Sequence, residues 1–142
     1  MGLFDFLKQK KAIPYEKIAE ELDAFTEESL AMPKMNNPFL LDDESKHPMI
    51  FGYFMGAVEC IAEAYTLNEK DKESVYTKYL SRNFTNHNTD RTKELLDYSK
   101  AISRADDASN YTLVGNHAMK KWKTGGPMAK YAPMGLIRLL ND

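Results

Sequence analysis

Between Met49 and Leu67 runs the most apolar stretch of the chain, and its pattern constrains the fold more than any other feature. On a helical wheel Ile50, Phe51, Phe54, Ala57, Val58, Ile61, Ala62 and Tyr65 cover a wide arc, while Gly52, Gly56, Glu59 and Glu63 form a narrow stripe opposite. A helix apolar over so wide an arc must be covered by neighbours, so other segments have to pack around it. Nineteen residues suffice to span a bilayer, but two glutamates on one stripe and the lack of a second such stretch point to the central helix of a soluble bundle. The Gly52-x-x-x-Gly56 spacing would let another backbone approach closely.

The flanking segments supply the neighbours. After Pro14, suited to the first position of a helix, Tyr15, Ile18, Ala19, Leu22 and Phe25 recur at helical spacing through about Leu30. Residues 32–48 contain Pro33, Pro38 and Pro48 with Asn36-Asn37, which predicts a long loop and, by its length, a binding element. Asn68 caps a third helix bearing Val75, Tyr76, Tyr79 and Leu80, and Thr89 or Asp90 caps a fourth bearing Leu95, Leu96, Tyr98 and Ile102. Asp106 and Asp107 open a fifth with Tyr111, Val114, Gly115, Ala118 and Trp122 on its face, and Gly125-Gly126 ends it. Met128 to Ala132 reads as a turn and Met134 to Leu140 as a short last helix. No stretch alternates in the manner of a strand, so residues 1–142 are expected to form one all-α domain, a bundle of five or six helices around the central helix at about 49–67.

Composition narrows the class of partner. A chain of 142 residues serves one core, and the lone Cys60 can form neither an internal disulfide nor a multi-thiolate zinc site, which points to a reducing, cytoplasmic setting. Nineteen basic and 21 acidic residues balance to −2, a charge that argues against nucleic acid as partner. Locally the balance is uneven: Tyr15 to Lys46 holds nine acids against three lysines, whereas Gly115 to Leu140 holds five bases and no acid. The N-terminal arm, residues 1–13, groups Leu3, Phe4, Phe6 and Leu7 ahead of Lys8, Lys10 and Lys11. It lacks the order and length of a secretory signal, and Phe6 stands where a myristoylation signal has Ser or Thr. An arm folded back on its own domain is the preferred reading, and membrane contact through residues 1–11 is the alternative.

Chemistry-bearing constellations are sparse. His47, His87 and His117 are scattered without metal-ligand spacing, Cys60 neighbours glutamates that raise its pKa, and no Gly-x-Ser-x-Gly elbow occurs. No cofactor or metal is therefore expected. The carboxylates offer one enzymatic reading, since Glu59 and Glu63 share a helix face and Glu94 and Asp97 lie three apart on a later helix. The set Glu59-Cys60-x-x-Glu63 and Glu94-x-x-Asp97 resembles the all-α nucleotide pyrophosphohydrolases of the MazG type, whose pattern is Glu-Glu-x-x-Glu followed by Glu-x-x-Asp. Cys60 replaces the second glutamate, and a whole helix intervenes. The resemblance implies a Mg²⁺-dependent enzyme holding the metal on these four carboxylates.

The leading expectation is a non-catalytic helical module that binds another protein, as adaptors and inhibitor or immunity-like proteins do. Its contact residues are expected in the loop, where Phe39, Leu40 and Leu41 precede Asp42, Asp43 and Glu44, an apolar anchor beside a charged rim. The basic segment with Lys120, Lys121, Lys123 and Lys130 is a second face, complementary to the first if the chain forms a homo-oligomer. Trp122 among those lysines reads as a core anchor. A peripheral membrane or phosphate-binding module, using Phe4, Phe6 and the lysines, is a third reading.

Overall fold

The apolar stretch around Phe54 is helical, and every other helix packs against it. The computed structural model describes residues 13–105 and 108–141. Within them lie six helices and no strand: α1 (Tyr15–Asn36), α2 (His47–Ala64), α3 (Glu69–Asn83), α4 (Thr89–Ser103), α5 (Ala108–Thr124) and α6 (Gly135–Asn141). The architecture is an all-α bundle with α2 at its centre. The N-terminal arm up to Ala12 and the Asp106-Asp107 start of the fifth helix lie outside the described residues.

The wide arc of α2 is buried as its pattern requires, with Ile50, Phe51, Phe54, Ala57, Val58, Ile61 and Ala62 all in the core and Tyr65 partly so. The narrow stripe divides. Glu63 is exposed and Glu59 half-buried, but Gly52 and Gly56 are buried beneath α5. A methyl group placed on Gly56 would sit 1.9 Å from the Thr112 carbonyl oxygen, and one on Gly115 would sit 1.7 Å from that of Tyr53. The two backbones therefore touch through reciprocal glycines, the close approach that small residues at this spacing permit.

The opposite side of α2 packs through large rings. Phe54 meets Tyr53, Phe84, Tyr79 and Phe25 at centroid separations from 5.1 to 6.5 Å. Hydroxyls tie this side across helices, Thr26 to Tyr79 at 2.7 Å, Ser29 to Tyr53 at 3.1 Å and Tyr76 to Ser99 at 2.7 Å, and join the α3–α4 connection to α4 through Thr85 and Thr92 at 2.6 Å. Among the described residues no buried side-chain polar atom lacks a partner, as an interior of low dielectric demands. Burial holds the Tyr53, Tyr76 and Tyr79 phenols well above their ordinary pKa, against the lowering effect of their hydroxyl partners.

Several boundaries differ from expectation. The predicted loop over residues 32–48 is largely ordered helix and turn. α1 continues through Pro33 to Asn36, because the ring is buried in the last turn and Asn37 N–H closes onto the Pro33 carbonyl at 2.9 Å. A proline so near a helix end removes one amide bond and leaves the body of the helix intact. Two 3-10 turns follow, Leu40–Asp42 and Glu44–Lys46, and α2 opens at His47 with Pro48 in its first turn, where no intrahelical donor is needed. At its far end α2 stops at Ala64, short of Leu67, through Thr66 in the left-handed region at φ 54° and a Leu67 N–H to Ala62 carbonyl bond of 2.8 Å. Asn88, one residue before Thr89, caps α4 by accepting the Arg91 N–H at 3.0 Å. Asn68 caps α3 as expected. Gly125 and Gly126, with φ of 80° and 86°, release the chain from α5. The turn after them is a 3-10 segment, Ala129–Met134, that accommodates Pro133 and delivers α6 one residue later than expected.

Candidate functional site

The 37–46 connection is held in place by its own polar groups. Asn37 Oδ1 accepts the Phe39 N–H at 3.1 Å, and Asp43 Oδ1 accepts both the amide and the hydroxyl of Ser45, at 3.1 and 2.6 Å. The Ser45 hydroxyl bond is the main reason that the Asp43 carboxyl lies below the usual aspartate range. A His47 ring nitrogen bonds the Leu41 carbonyl at 2.8 Å, and its ring packs edge-on against Phe51 and Tyr98.

This frame separates the six loop residues expected to meet a partner. Leu40 is in the core at 3% exposure and Leu41 is partly buried against it, so both leave the contact surface. Both belong to the first 3-10 turn, Leu40–Asp42, which turns them toward the core, whereas the second turn buries no side chain. Phe39 projects outward at 74% exposure. Asp42 and Glu44 are exposed beside it, while Asp43 is spent on its turn. Two apolar side chains from the end of α1 join them, Met32 at 47% and Met35 at 80% exposure. Spaced by three, they share a helix face. Sequence reasoning missed both because it ended the helix near Leu30. The signal was present as the spacing of Met32 and Met35, had Pro33 been allowed inside the last turn.

The second expected face also divides. Lys123 is not a free rim charge: its Nζ lies 2.8 Å from Glu21 Oε2 and 5.0 Å from the centre of the Tyr65 ring. Trp122 packs on Phe25 with centroids 5.6 Å apart and donates its indole N–H to Glu28 at 2.6 Å, which fits the core-anchor reading. Lys120, Lys121 and Lys130 are exposed, and Lys130 Nζ stands 5.1 Å from the centre of the neighbouring Tyr131 ring.

The carboxylate set does not assemble. Among the described residues no group of three or more His, Cys, Asp or Glu side chains could hold a metal ion. Glu59 lines a cleft between α2, α3 and α4 with Lys72, and burial raises its pKa ahead of the opposing pull of Lys72. Glu94 and Asp97 are exposed on α4 and do not line that cleft. The helix phase explains the separation, since the α4 face turned to the core carries Thr92, Ser99 and Ile102. Cys60 is buried, and burial ahead of the nearby Glu63 pushes its thiol pKa up, the opposite of what a nucleophile needs. No helix among the described residues is long and apolar enough to cross a membrane. No protein-family model matches the chain, and neither a curated protein nor a solved structure shows significant similarity to it.

Proposed function

We propose that the chain is a binding module that engages a partner protein through Met32, Met35 and Phe39, with Asp42 and Glu44 as its charged rim. The observation that carries this reading is the clustering of three strongly exposed apolar side chains within eight residues, immediately before two exposed acids. Single exposed apolar residues need no explanation, but a cluster at one end of a helix is the form that protein contact sites take. Methionines adapt their shape to an opposing pocket, and an aromatic side chain supplies a large desolvated anchor. The Asn37, Asp43 and His47 hydrogen bonds hold the segment in place before docking, which reduces the entropy lost on binding. The complementary partner has an apolar pocket with basic residues around it.

A photo-crosslinking residue at Phe39, compared with one at exposed Asn86, should capture one protein in the native host, specifically from the Phe39 site. With that protein purified, Met35→Asp and Phe39→Ala should each weaken binding at least about tenfold, the scale of an anchor residue. Asp42→Lys with Glu44→Lys should mainly slow association and flatten its salt dependence. Equal capture at both positions, or unchanged affinity in both apolar variants, would remove this surface from consideration.

A further inference from the structure

The C-terminal half of α5, the 3-10 segment after it and α6 enclose a groove of about 740 Å³ that plays no part in the partner surface above. Its ionisable lining other than Tyr131 is basic throughout: His117, Lys120, Lys121 and Arg138, with no Asp or Glu among the lining residues. His117, Lys120, Lys121 and Thr124 follow the i, i+3, i+4, i+7 spacing of one helix face, and Arg138 comes from α6. Four cations elsewhere on the surface, Lys72, Arg82, Lys100 and Lys123, each pair with a carboxylate. Among the described residues Lys120, Lys121 and Arg138 have no such pair. Nor are the lysines needed to cap the end of α5, because Thr124 Oγ1 donates to the Lys120 carbonyl at 2.7 Å and the Gly125 N–H to that of Lys121 at 3.3 Å. Apolar and aromatic surface completes the lining, with Met128 65% and Tyr131 47% exposed.

We propose that this groove binds a soluble phosphate-bearing small molecule of nucleotide size, with its phosphates on His117, Lys120, Lys121 and Arg138 and its organic part against Met128 and Tyr131. Several cations converging from two helices suit a ligand with more than one negative charge, and the Arg138 guanidinium offers paired donors to phosphate oxygens. The volume falls within the range of about 300 to 1,000 Å³ usual for small-molecule sites. An apolar wall beside the cations favours a ligand with a ring or chain attached over a bare anion. This site stands or falls independently of the Met32, Met35 and Phe39 surface.

Amide chemical shifts of the full chain report on it directly, titrated with inorganic pyrophosphate, with ADP and with anionic phosphatidylglycerol vesicles. Saturable shifts confined to the segments around His117–Thr124 and Tyr131–Arg138 are expected with both soluble probes, and ADP should bind more tightly. Tyr131→Ala should bring ADP down to the pyrophosphate level. Lys121→Glu combined with Arg138→Glu should weaken both probes at least about tenfold, with the helical circular dichroism unchanged because both side chains are exposed. Lys70→Glu, an exposed charge reversal on α3, should leave both affinities as they were. Shifts that grow linearly and equal those from sodium chloride at matched ionic strength would overturn the proposal. So would equal weakening by Lys70→Glu, or binding to vesicles with no response to either soluble probe.

Discussion

The two flanks of α2 are built on opposite principles. Toward α5 the closest approaches fall at Gly52, Gly56 and Gly115, backbone against backbone at Gly56 and Gly115 and backbone against the Tyr111 side chain at Gly52. Toward α1, α3 and α4 the contact is made by large aromatic side chains, Phe25, Tyr53, Phe54, Tyr79 and Phe84, with buried hydroxyl pairs among the tyrosines of this side. At Gly56 and Gly115 this seam has no slack, because the facing atoms are backbone and cannot change rotamer. An aromatic core distributes any change over many adjustable contacts. The seam also has a consequence for recognition. It brings the start and middle of α5 onto α2, so the face bearing His117, Lys120 and Lys121 is set rigidly beside α6 and its Arg138.

The sharpest way to break this contrast is Gly115→Ala. On an isolated helix the change would stabilise by about 1 kcal/mol. Here the new methyl group overlaps the Tyr53 carbonyl oxygen at 1.7 Å, so the helices must part and the core beside them must open. A loss of more than about 4 kcal/mol is expected, a large fraction of the roughly 5 to 15 kcal/mol by which domains are stable. Urea denaturation monitored by circular dichroism measures it. A loss below about 1 kcal/mol would mean that the seam can yield and that the contrast is mistaken.

The aromatic flank should lose far less from a comparable edit. Tyr79→Phe keeps the ring and its packing but strands the Thr26 hydroxyl that stood 2.7 Å from the phenol, a change worth about 1 to 2 kcal/mol. The same side carries a pH signature. Its phenols ionise above their ordinary value of 10.0 in the folded chain, so below that pH both states keep their protons and the stabilisation is complete. As pH rises past 10.0 the unfolded chain releases protons that the folded chain retains, and stability falls. Denaturation midpoints taken across this range should decline, more gently in Tyr79→Phe because one of the three phenols is gone. A slope identical in the two proteins would show that the Tyr79 phenol takes no part in the alkaline loss.

How much of this was legible beforehand follows from which interactions are local. The helices and most buried faces could be read from spacing, because apolar residues such as Ile50, Phe54 and Ile61 must face inward whatever covers them. The caps at Asn68 and the exit at Gly125-Gly126 were readable for the same reason, being set within a few residues. Gly52-x-x-x-Gly56 announced a close approach but not its partner, since the matching Gly115 lies fifty-nine residues from Gly56 in the chain. Pro33 misled, because its effect depends on where in the helix it falls. The candidate contact residues were separated by burial, a property of the whole fold: Leu40 and Leu41 turned in, Phe39 turned out, and Met32 and Met35 emerged with the added turn of α1. Lys123 left its surface set for a partner 102 residues away, Glu21.

The smallest expected effect is also the one that isolates the seam most cleanly. Gly135 opens α6 in ordinary helical geometry, with φ −57° and ψ −38°, so it needs no glycine for its backbone. A methyl group there would meet a Tyr53 ring carbon at 3.4 Å, Val114 at 3.5 Å and Ala118 at 3.7 Å, all ordinary van der Waals separations. Gly135→Ala should therefore stabilise the fold by about 0.5 to 1 kcal/mol, chiefly by restricting the unfolded chain. Gly135 and Gly115 both pack beside Tyr53, and the same substitution at the two sites is expected to have opposite signs. The deciding difference is what the methyl group meets: the edge of a ring that can shift by a few tenths of an ångström in one case, a fixed peptide carbonyl in the other. Thermal denaturation of the two variants side by side reads this directly. If Gly135→Ala also destabilised strongly, tight packing would extend over the whole of α5 and α6, and the glycine seam would lose its distinction from the rest of the core.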